Sequence, residues 1–363
     1  MSTQPDLLYS EEEEALRAAV RDLLGDHCDP AGVIARTESD APHDREAWKA
    51  LAEGMGLAGL LVPEAQGGQG ATHREVAVVL EELGRAAAPV PYLTSAVVAT
   101  EALLACGDEE LLGRLASGRT VGALAVGLHT APGAAFTAVH VEDGTLHGEV
   151  TGVADALAAD VLLVPADDGG LYAVDADAVD VTPQVSLDLT RPLATVALAG
   201  APGRRLGDAA PAVRRALSAG AGLLASEQLG VADWALTETV RYLKERKQFN
   251  RPVGGFQALK HRLAQLWLEV VNLRAAARNA ADVLAGQGSA EEVAVAVAVA
   301  QAYAAPVAVH AAEEALQLHA GIGMTWEHPV HLYLKRAKAD SIAYGTAGAH
   351  RSAVAELVDL RAP

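Results

Sequence analysis

The segment 242–257 reads YLKERKQFNRPVGGFQ and separates two long stretches that are predicted to be helical, 210–244 and 256–285. A third long helix is predicted over 290–319, and shorter helices begin near Val330 and Thr346. Within 293–299 Val and Ala alternate as in a strand, but both are apolar and the run continues without a turn, so we predict a helix. Helices of these lengths favour a bundle, which predicts a C-terminal helical domain over 208–363.

The segment between the first two helices carries a distinctive set of chemical groups. It offers a planar guanidinium suited to a bidentate phosphate contact, an amide for hydrogen bonding and an aromatic face for stacking, all in one interhelical turn. These groups predict a nucleotide clamp. An alternative interpretation is a charged helix end in which Phe249 and Phe256 fill the core, and spacing alone does not decide between the two.

The rest of the chain divides into a helical and a β-rich part. Residues 1–119 are predicted to form an N-terminal helical domain, which includes a capping box at Ser10 and helical spacing over 46–53, 73–85 and 95–106. Residues 120–207 are predicted to form a middle β domain, because short β-branched stretches at 139–141, 161–164, 171–174 and 195–198 are separated by Gly, Asp and Pro.

Composition excludes several classes of function. The 363 residues include 28 Lys and Arg against 47 Asp and Glu, a formal net charge of −19, and 51% are hydrophobic. So large an apolar fraction excludes general disorder. The negative charge and the lack of basic runs argue against nucleic acid and anionic membranes as partners. The apolar run 293–309 contains Gln301, Tyr303 and Pro306, so we interpret it as a buried core helix and not as a membrane span.

Cysteine and histidine patterns also restrict the possibilities. Two cysteines, Cys28 and Cys106, cannot make a disulfide framework. Twelve histidines occur, but no His-Glu-x-x-His is present, and those at 310, 319, 328 and 331 have no Cys or carboxylate at the usual ligand spacing. We therefore predict no metal site. The residues before Glu11 do not read as a signal peptide, which predicts a cytoplasmic protein.

Several motifs together make the chain resemble the acyl-CoA dehydrogenases. The resemblance covers nearly the whole sequence, and its pieces are VPE at 62–64, GGQG at 67–70, EELGR at 81–85, Arg246-x-Gln248-Phe249, Phe256-Gln257, QLHAGIG at 317–323 and EHPV at 327–330. It implies a mainly α fold with a central β domain: an N-terminal helical domain, a β-barrel or β-sandwich middle domain and a C-terminal four-helix bundle. It also implies FAD as the cofactor.

In this family the bound FAD crosses a dimer interface, and the neighbouring subunit holds its ADP half. The residues that match this clamp are Arg246, Gln248, Phe249, Gln317 and Gly321. Ala320 stands in place of the first glycine of the second clamp motif. The resemblance therefore assigns cofactor-binding roles to these five residues.

The family's catalytic base is missing. Dehydrogenation requires a glutamate that removes the α-proton of the acyl-CoA while hydride passes from Cβ to the flavin. At one family position for this glutamate the sequence has Tyr344, and at the other it has Gly220. Because tyrosine has a pKa of about 10, it is a poor base at neutral pH. We therefore predict no catalytic residue in this chain.

The loops that face the flavin ring in the family also depart from the pattern. The family's Thr-Glu-Pro-x-x-Gly-Ser-Asp loop is represented only by HTAPG at 129–133, and its Trp-Ile-Thr/Ser by Gly152-Val153-Ala154. The half of the site that holds a subunit's own isoalloxazine thus looks degraded, whereas the half that reaches a neighbour's ADP looks intact.

With the base and flavin-facing motifs missing and the ADP clamp kept, the chain resembles the base-lacking subunit of α2β2 acyl-CoA dehydrogenases. This group includes enzymes that act on sterol side-chain CoA thioesters. The resemblance implies a homologous partner that carries the glutamate and binds most of the acyl-CoA. Two alternatives remain. One is a self-sufficient homo-oligomeric flavoprotein that uses Tyr344 or a carboxylate such as Asp340; the other is a non-catalytic subunit that stabilises a partner without contacting flavin.

Overall fold

The N-terminal part of the chain is helical, as predicted. In this computed structural model, which describes residues 7–286 and 288–360, six α-helices precede the first strand. They are α1 (Glu11–His27), α2 (Pro30–Thr37), α3 (Arg45–Lys49), α4 (His73–Ala86), α5 (Thr100–Cys106) and α6 (Glu109–Ala116). The side chain of Ser10 accepts a hydrogen bond from the Glu13 amide and the Glu13 side chain accepts one from the Ser10 amide, which confirms the capping box. Met1–Asp6, which the signal-peptide argument included, lie outside the described residues.

The middle part forms two four-stranded sheets, ordered β1-β4-β5-β8 and β2-β3-β7-β6. Their strands are β1 (Gly122–Leu124), β2 (His140–Glu142), β3 (Thr145–Ala154), β4 (Val161–Pro165), β5 (Gly170–Asp175), β6 (Asp180–Pro183), β7 (Leu193–Pro202) and β8 (Arg204–Asp208). One apolar cluster takes Leu162 and Val164 from the first sheet and Val150 and Val196 from the second. Since residues of both sheets share this core, the arrangement is a β sandwich.

Long helices follow the last strand of the sandwich. They are α7 (Ala209–Glu245), α8 (Gln257–Ala285), α9 (Ala290–His319), α10 (Val330–Asp340) and α11 (Ala347–Leu357). Helix α7 is the central element, because it packs against α4, α8, α9 and α10. The Val/Ala run of 293–299 lies in α9, which begins at a capping box formed by Ser289 and Glu292, so the helix prediction is confirmed.

Among the described residues, one stretch, Ala290–Met324, has the length and apolar composition that a membrane-spanning helix needs. Helix α9 lies within this stretch. Half of its most apolar window is buried inside the fold. There α9 packs against α7, α8 and α11. This packing supports the interpretation of the stretch as a core helix.

The N-terminal helices pack on the bundle through a close contact between α4 and α7. An ideal Cβ built on Gly84 would lie 2.0 Å from the carbonyl oxygen of Glu227, and one built on Gly230 would lie 1.9 Å from the carbonyl oxygen of Glu81. Each helix therefore has a glycine where the backbone of the other approaches. The EELGR motif at 81–85 thus has a packing role in this fold.

A buried ion cluster joins the β sandwich to the bundle. The loop between β6 and β7 supplies Asp188 and Arg191, α7 supplies Glu227, and α10 supplies Arg336 and Asp340. The guanidinium of Arg191 lies 2.6 Å from the carboxylate of Glu227 and 2.6 Å from that of Asp340. Arg336 lies 2.5 Å from Glu227 and 2.9 Å from Asp188. All five side chains are buried. The β sandwich and the bundle are therefore joined by ion pairs in which each charged group relies on its neighbours for compensation.

Candidate functional site

The first predicted clamp segment forms a tight hairpin after α7. Strand β9 (Lys247–Gln248) pairs antiparallel with β10 (Arg251–Pro252). The two residues between them, Phe249 and Asn250, have φ of 51° and 59°. Both are left-handed, as a two-residue type I′ hairpin turn requires. The turn projects Phe249 away from the bundle.

The exposure of Phe249 decides between the two interpretations of this segment. Its side chain is 86% exposed, so the alternative in which Phe249 fills the core is wrong. Phe256 is half-buried, and its ring lies 3.9 Å from the guanidinium of Arg251 and 6.3 Å edge-on from the ring of Phe249. The hairpin thus presents an aromatic ring at the surface of this chain.

The second predicted clamp segment lies at the C-terminal end of α9. Gln317 is exposed in its last turn, and Gly321 is exposed in the short 3-10 turn that follows. An ideal Cβ on Gly321 would meet nothing within 4 Å. The surface beside Gly321 is therefore open to a close approach by a ligand.

The fold brings the two clamp segments to the same end of the bundle. The ring of Tyr242, in the last turn of α7, lies 4.5 Å from the ring of His319, in the last turn of α9. Within residues 7–286 and 288–360, the side chains of Arg246, Gln248 and Gln317 make no hydrogen bond or ion pair. Their polar groups are free to bind a ligand or another subunit.

The two positions to which the resemblance assigns the family's glutamate meet in the interior. Tyr344 lies in the loop after α10, is 3% exposed and has a φ of 51°. Its amide donates a hydrogen bond to the Leu128 carbonyl at 2.7 Å. An ideal Cβ built on Gly220 would lie 3.2 Å from Cζ of Tyr344 and 2.9 Å from a methyl of Val98. The tyrosine ring thus occupies the space that a side chain at position 220 would need.

Both candidate catalytic groups of the homo-oligomer alternative are buried. Burial, reinforced by Asp155 and Glu227 and opposed by Arg191, raises the pKa of Tyr344 above its usual value. Asp340 is fully buried and accepts a hydrogen bond from Arg191 at 2.6 Å. Both groups are enclosed by protein, where a substrate has no access.

The cavity beside Tyr344 is very small. Its volume is about 20 Å³, enough for about one water molecule. It is lined by Thr94, Val98, Leu124, Val126, Leu128, Ala154, Leu217 and Tyr344. Sites that hold cofactor-sized ligands have volumes of roughly 300–1,000 Å³. The interior that adjoins both base positions is therefore filled by the chain itself.

A larger cavity of about 800 Å³ lies between α7, α9 and α11. Its carboxylates include Glu101, which lies 2.7 Å from His73 and 2.5 Å from Arg215. Burial opposes the ionisation of Glu101, but the hydrogen bond with His73 and the charge of Arg215 prevail and lower its pKa. A paired carboxylate with a lowered pKa is a weak base.

Comparison with known proteins decides the family. Residues 10–119 match the model of the acyl-CoA dehydrogenase N-terminal domain, and residues 210–358 match that of the acyl-CoA dehydrogenase C-terminal domain. The chain belongs to the acyl-CoA dehydrogenases. This confirms the predicted family and fold: an acyl-CoA dehydrogenase fold with N-terminal helices, a central sheet domain and C-terminal helices.

Individual acyl-CoA dehydrogenases resemble the chain along nearly its whole length. Acyl-CoA dehydrogenase IpdE2 of Mycolicibacterium smegmatis is 36% identical over 336 residues, which cover 93% of this chain and 95% of that protein. The solved ChsE4-ChsE5 complex from Mycobacterium tuberculosis is 29% identical with a TM-score of 0.87, covering 99% of this chain and 100% of the matched one. A variant of the Tcur3481-Tcur3483 steroid ACAD is 31% identical with a TM-score of 0.84, covering 96% and 98%.

Acyl-CoA dehydrogenases bind FAD, so the residues of this chain can be tested for their fit to it. The cavity beside Tyr344 has room for about one water molecule and does not fit an isoalloxazine. The cavity of about 800 Å³, lined in part by Ala131, Pro132 and Gly133, is large enough for a ligand of that size. The exposed hairpin and the end of α9 do fit an ADP group held at the surface, since they present a guanidinium, two amides and a phenyl ring. The predicted clamp residues are thus accessible to an ADP group at the surface.

Proposed function

We propose that this chain is the base-lacking subunit of a heteromeric, FAD-dependent acyl-CoA dehydrogenase that desaturates an acyl-CoA thioester between Cα and Cβ. A homologous partner supplies the glutamate, the flavin-facing loops and most of the acyl-CoA pocket. The observation that carries the proposal is the contact between Tyr344 and Gly220. Neither of the two positions assigned to the family's glutamate has a carboxylate, and the tyrosine ring occupies the space between them.

The clamp residues give this chain its part in the reaction. Arg246 binds a phosphate of the FAD held by the partner, Phe249 stacks on its adenine, and Gln248 and Gln317 donate hydrogen bonds, while Gly321 allows close approach. Their exposure and freedom from internal partners support these roles. FAD then bridges the two subunits, so cofactor binding and assembly depend on each other.

The relatives support both the partner and the substrate class. Two solved relatives are named as pairs, ChsE4-ChsE5 and Tcur3481-Tcur3483, and the second is described as a steroid ACAD. We therefore propose an α2β2 assembly with a base-carrying acyl-CoA dehydrogenase and a sterol-derived acyl-CoA as the substrate.

The first experiment compares this chain alone with the co-expressed complex. We expect the isolated chain to be colourless, and we expect flavin absorbance and dehydrogenase activity to appear only on co-expression with a base-carrying homologue. One FAD per isolated chain, measured from the visible spectrum and the solution mass, would instead support the self-sufficient homo-oligomer.

The second experiment tests the clamp in the complex. Arg246→Ala removes a charge-assisted phosphate contact worth about 1.5–3 kcal/mol, so FAD retention is expected to weaken by about 10- to 100-fold. The matched control is Arg119→Ala, because Arg119 is also exposed and lies in the N-terminal helical part, away from the clamp. Equal FAD retention in both variants would favour the subunit that stabilises its partner without contacting flavin.

A further inference from the structure

Three side chains from separate parts of the fold converge near the clamp end of the bundle. They are Glu238 in α7, His319 at the end of α9 and His328 in the loop before α10. Each offers one atom that can bind a metal ion, and these atoms all lie within 4.8 Å of one another. Two imidazoles and a carboxylate are a ligand set that suits Zn²⁺ and neighbouring transition metals.

The imidazole of His319 has a free acceptor in the interior. Its Nδ1 lies 2.7 Å from the carbonyl oxygen of Ala315, so Nδ1 carries the proton and donates it to that carbonyl. Its Nε2 is then an unprotonated acceptor, and within the described part of the chain it has no hydrogen-bond partner although the residue is 0% exposed. A buried acceptor without a partner is costly. The ring of His328 is a neighbouring group, and its centroid lies 4.3 Å from the centroid of the His319 ring.

The other two side chains provide ligands at the open side of the cluster. Both His328 and Glu238 are half-buried. The carboxylate of Glu238 accepts hydrogen bonds from Arg241 at 2.9 and 2.5 Å, and each of its oxygens keeps a further lone pair. His328 accepts only a long hydrogen bond, 3.3 Å, from the Val330 amide. The hydrogen bond to His328 is weak, whereas Glu238 is held by a bidentate ion pair with Arg241. Glu238 can therefore bind an ion only through the lone pairs that this ion pair leaves free.

The electrostatics of the cluster match this role. Burial lowers the pKa of His319, and burial together with the neighbouring His319 lowers the pKa of His328. Both rings are therefore neutral at neutral pH, the state in which imidazole binds a metal. The charge of Arg241 also lowers the pKa of both rings, and it offsets part of the negative charge of Glu238, the carboxylate of the cluster.

We propose that Glu238, His319 and His328 form a binding site for one divalent transition-metal ion, with Zn²⁺ as the expected occupant. Ligand atoms around one Zn²⁺ at about 2.0–2.2 Å lie roughly 3–3.5 Å apart, so binding brings the most widely separated ligand atoms closer together by roughly 1–2 Å. Water fills the remaining position on the solvent side. This proposal departs from the sequence-based expectation of no metal site, because its carboxylate comes from a helix far earlier in the chain.

The bound ion ties the end of α9 to α7. His319 lies between Gln317 and Gly321 in sequence, so the ion fixes the short segment that carries two of the proposed clamp residues. Its role there is to position backbone and side chains. Metal binding by the isolated chain does not depend on the proposed function, so the two are tested separately.

The test is metal binding by the full chain after treatment with EDTA. Titration with Zn²⁺ in a calorimeter is expected to give one ion per chain, and Co²⁺ is expected to give visible absorption bands of a site with nitrogen and oxygen ligands. His328→Gln and Glu238→Gln are each expected to weaken Zn²⁺ binding by at least about tenfold and to abolish the rise in melting temperature on Zn²⁺ addition. Both replace half-buried residues, and circular dichroism checks that the variants fold.

His310→Gln is the matched control, because His310 also lies beside carboxylates, 2.7 Å from Glu269 and 4.0 Å from Glu314. This control is expected to keep the affinity of the unmodified protein. The proposal is overturned if the isolated chain binds no Zn²⁺, if the two ligand variants bind it as tightly as the unmodified protein, or if the control weakens binding as much as they do.

Discussion

The ring of Tyr344 lies against the backbone of Gly220, with Cζ 3.2 Å from the point where a Cβ at position 220 would stand. These are the two positions at which acyl-CoA dehydrogenases carry their glutamate according to the family resemblance. A glycine at one position makes room for the aromatic ring at the other. The two departures from the family pattern, Gly220 and Tyr344, are thus coupled by packing.

Gly220→Glu tests whether this interior is closed. The substitution would bury a carboxylate without a partner and displace Tyr344 and Val98, so we expect a loss of at least about 3 kcal/mol of stability and no gain of flavin by the isolated chain. Thermal denaturation and the visible spectrum measure the two effects. Gly25→Glu, at an exposed position of α1 with nothing near its Cβ, is expected to be close to neutral. Equal stability of the two variants would show that the interior has room for a side chain.

Tyr344→Phe tests whether the tyrosine hydroxyl takes part in chemistry. The ring and its packing are kept, so desaturation by the complex is expected to stay within about twofold, whereas loss of a general acid or base costs about 10²–10⁴-fold. Turnover per bound FAD is the measurement. A fall of the larger size would assign a catalytic role to Tyr344 and support the homo-oligomer alternative.

Ala320→Gly is expected to stabilise the protein. Ala320 has φ 53° and ψ −134°, a conformation that favours glycine, and it replaces the first glycine of the family motif. Relief of this strain is expected to contribute about 1 kcal/mol, or a rise of about 2 °C in melting temperature. Ala302→Gly, inside α9, is the opposite control and is expected to lose about 1 kcal/mol. If both substitutions lower the melting temperature alike, position 320 is not strained.

Asp340→Asn is expected to change how stability depends on pH. Burial and the nearby Glu227 raise the pKa of Asp340 from 3.8 to about 7, against the opposing charges of Arg191 and Arg336, and Asp188 also faces the cluster. Between these values the folded chain holds a proton that the unfolded chain has lost. The contribution of Asp340 to stability is therefore complete below about pH 4 and is lost as the pH rises through about 7.

The melting temperature of the Asn variant is therefore expected to rise relative to that of the unmodified protein from pH 5 to pH 8, by about 2 °C or more. Glu227 has a lowered pKa, held down by Arg191 and Arg336 against its burial, so it loses its contribution only in acid, below this window. Asp22→Asn, on the exposed surface of α1, is the control and should give a constant difference. A constant difference for Asp340→Asn as well would contradict the prediction.

Helices were predictable from sequence because their signals are local. The third bundle helix begins and ends where predicted, at Ala290 and His319, since Ser289 and Glu292 form its cap. Strand β3 (Thr145–Ala154) was missed. Its alternation is interrupted by Gly148 and Gly152 and by register shifts against β7, so no simple period-two pattern appears in the sequence.

The sequence predicts functional residues only where they belong to a local motif. The resemblance predicts a clamp at the hairpin and at the end of α9, and this stays a prediction. The contact between Gly220 and Tyr344, in contrast, joins residues far apart in the chain. The same holds for Glu238 beside His319 and for Arg191 beside Glu227. Such pairings arise from tertiary packing and leave no local pattern in the sequence.

The loop between β6 and β7 supplies buried counter-ions for the bundle: Arg191 for Glu227 and Asp188 for Arg336. A chain without the β sandwich would keep Glu227 and Arg336 inside the helices but lose Arg191 and Asp188, and breaking such buried pairs costs about 3–5 kcal/mol. If the β sandwich takes no part in flavin chemistry, as proposed above, its contacts with the bundle still oppose its deletion. Selection for a folded bundle is by itself sufficient to retain this domain.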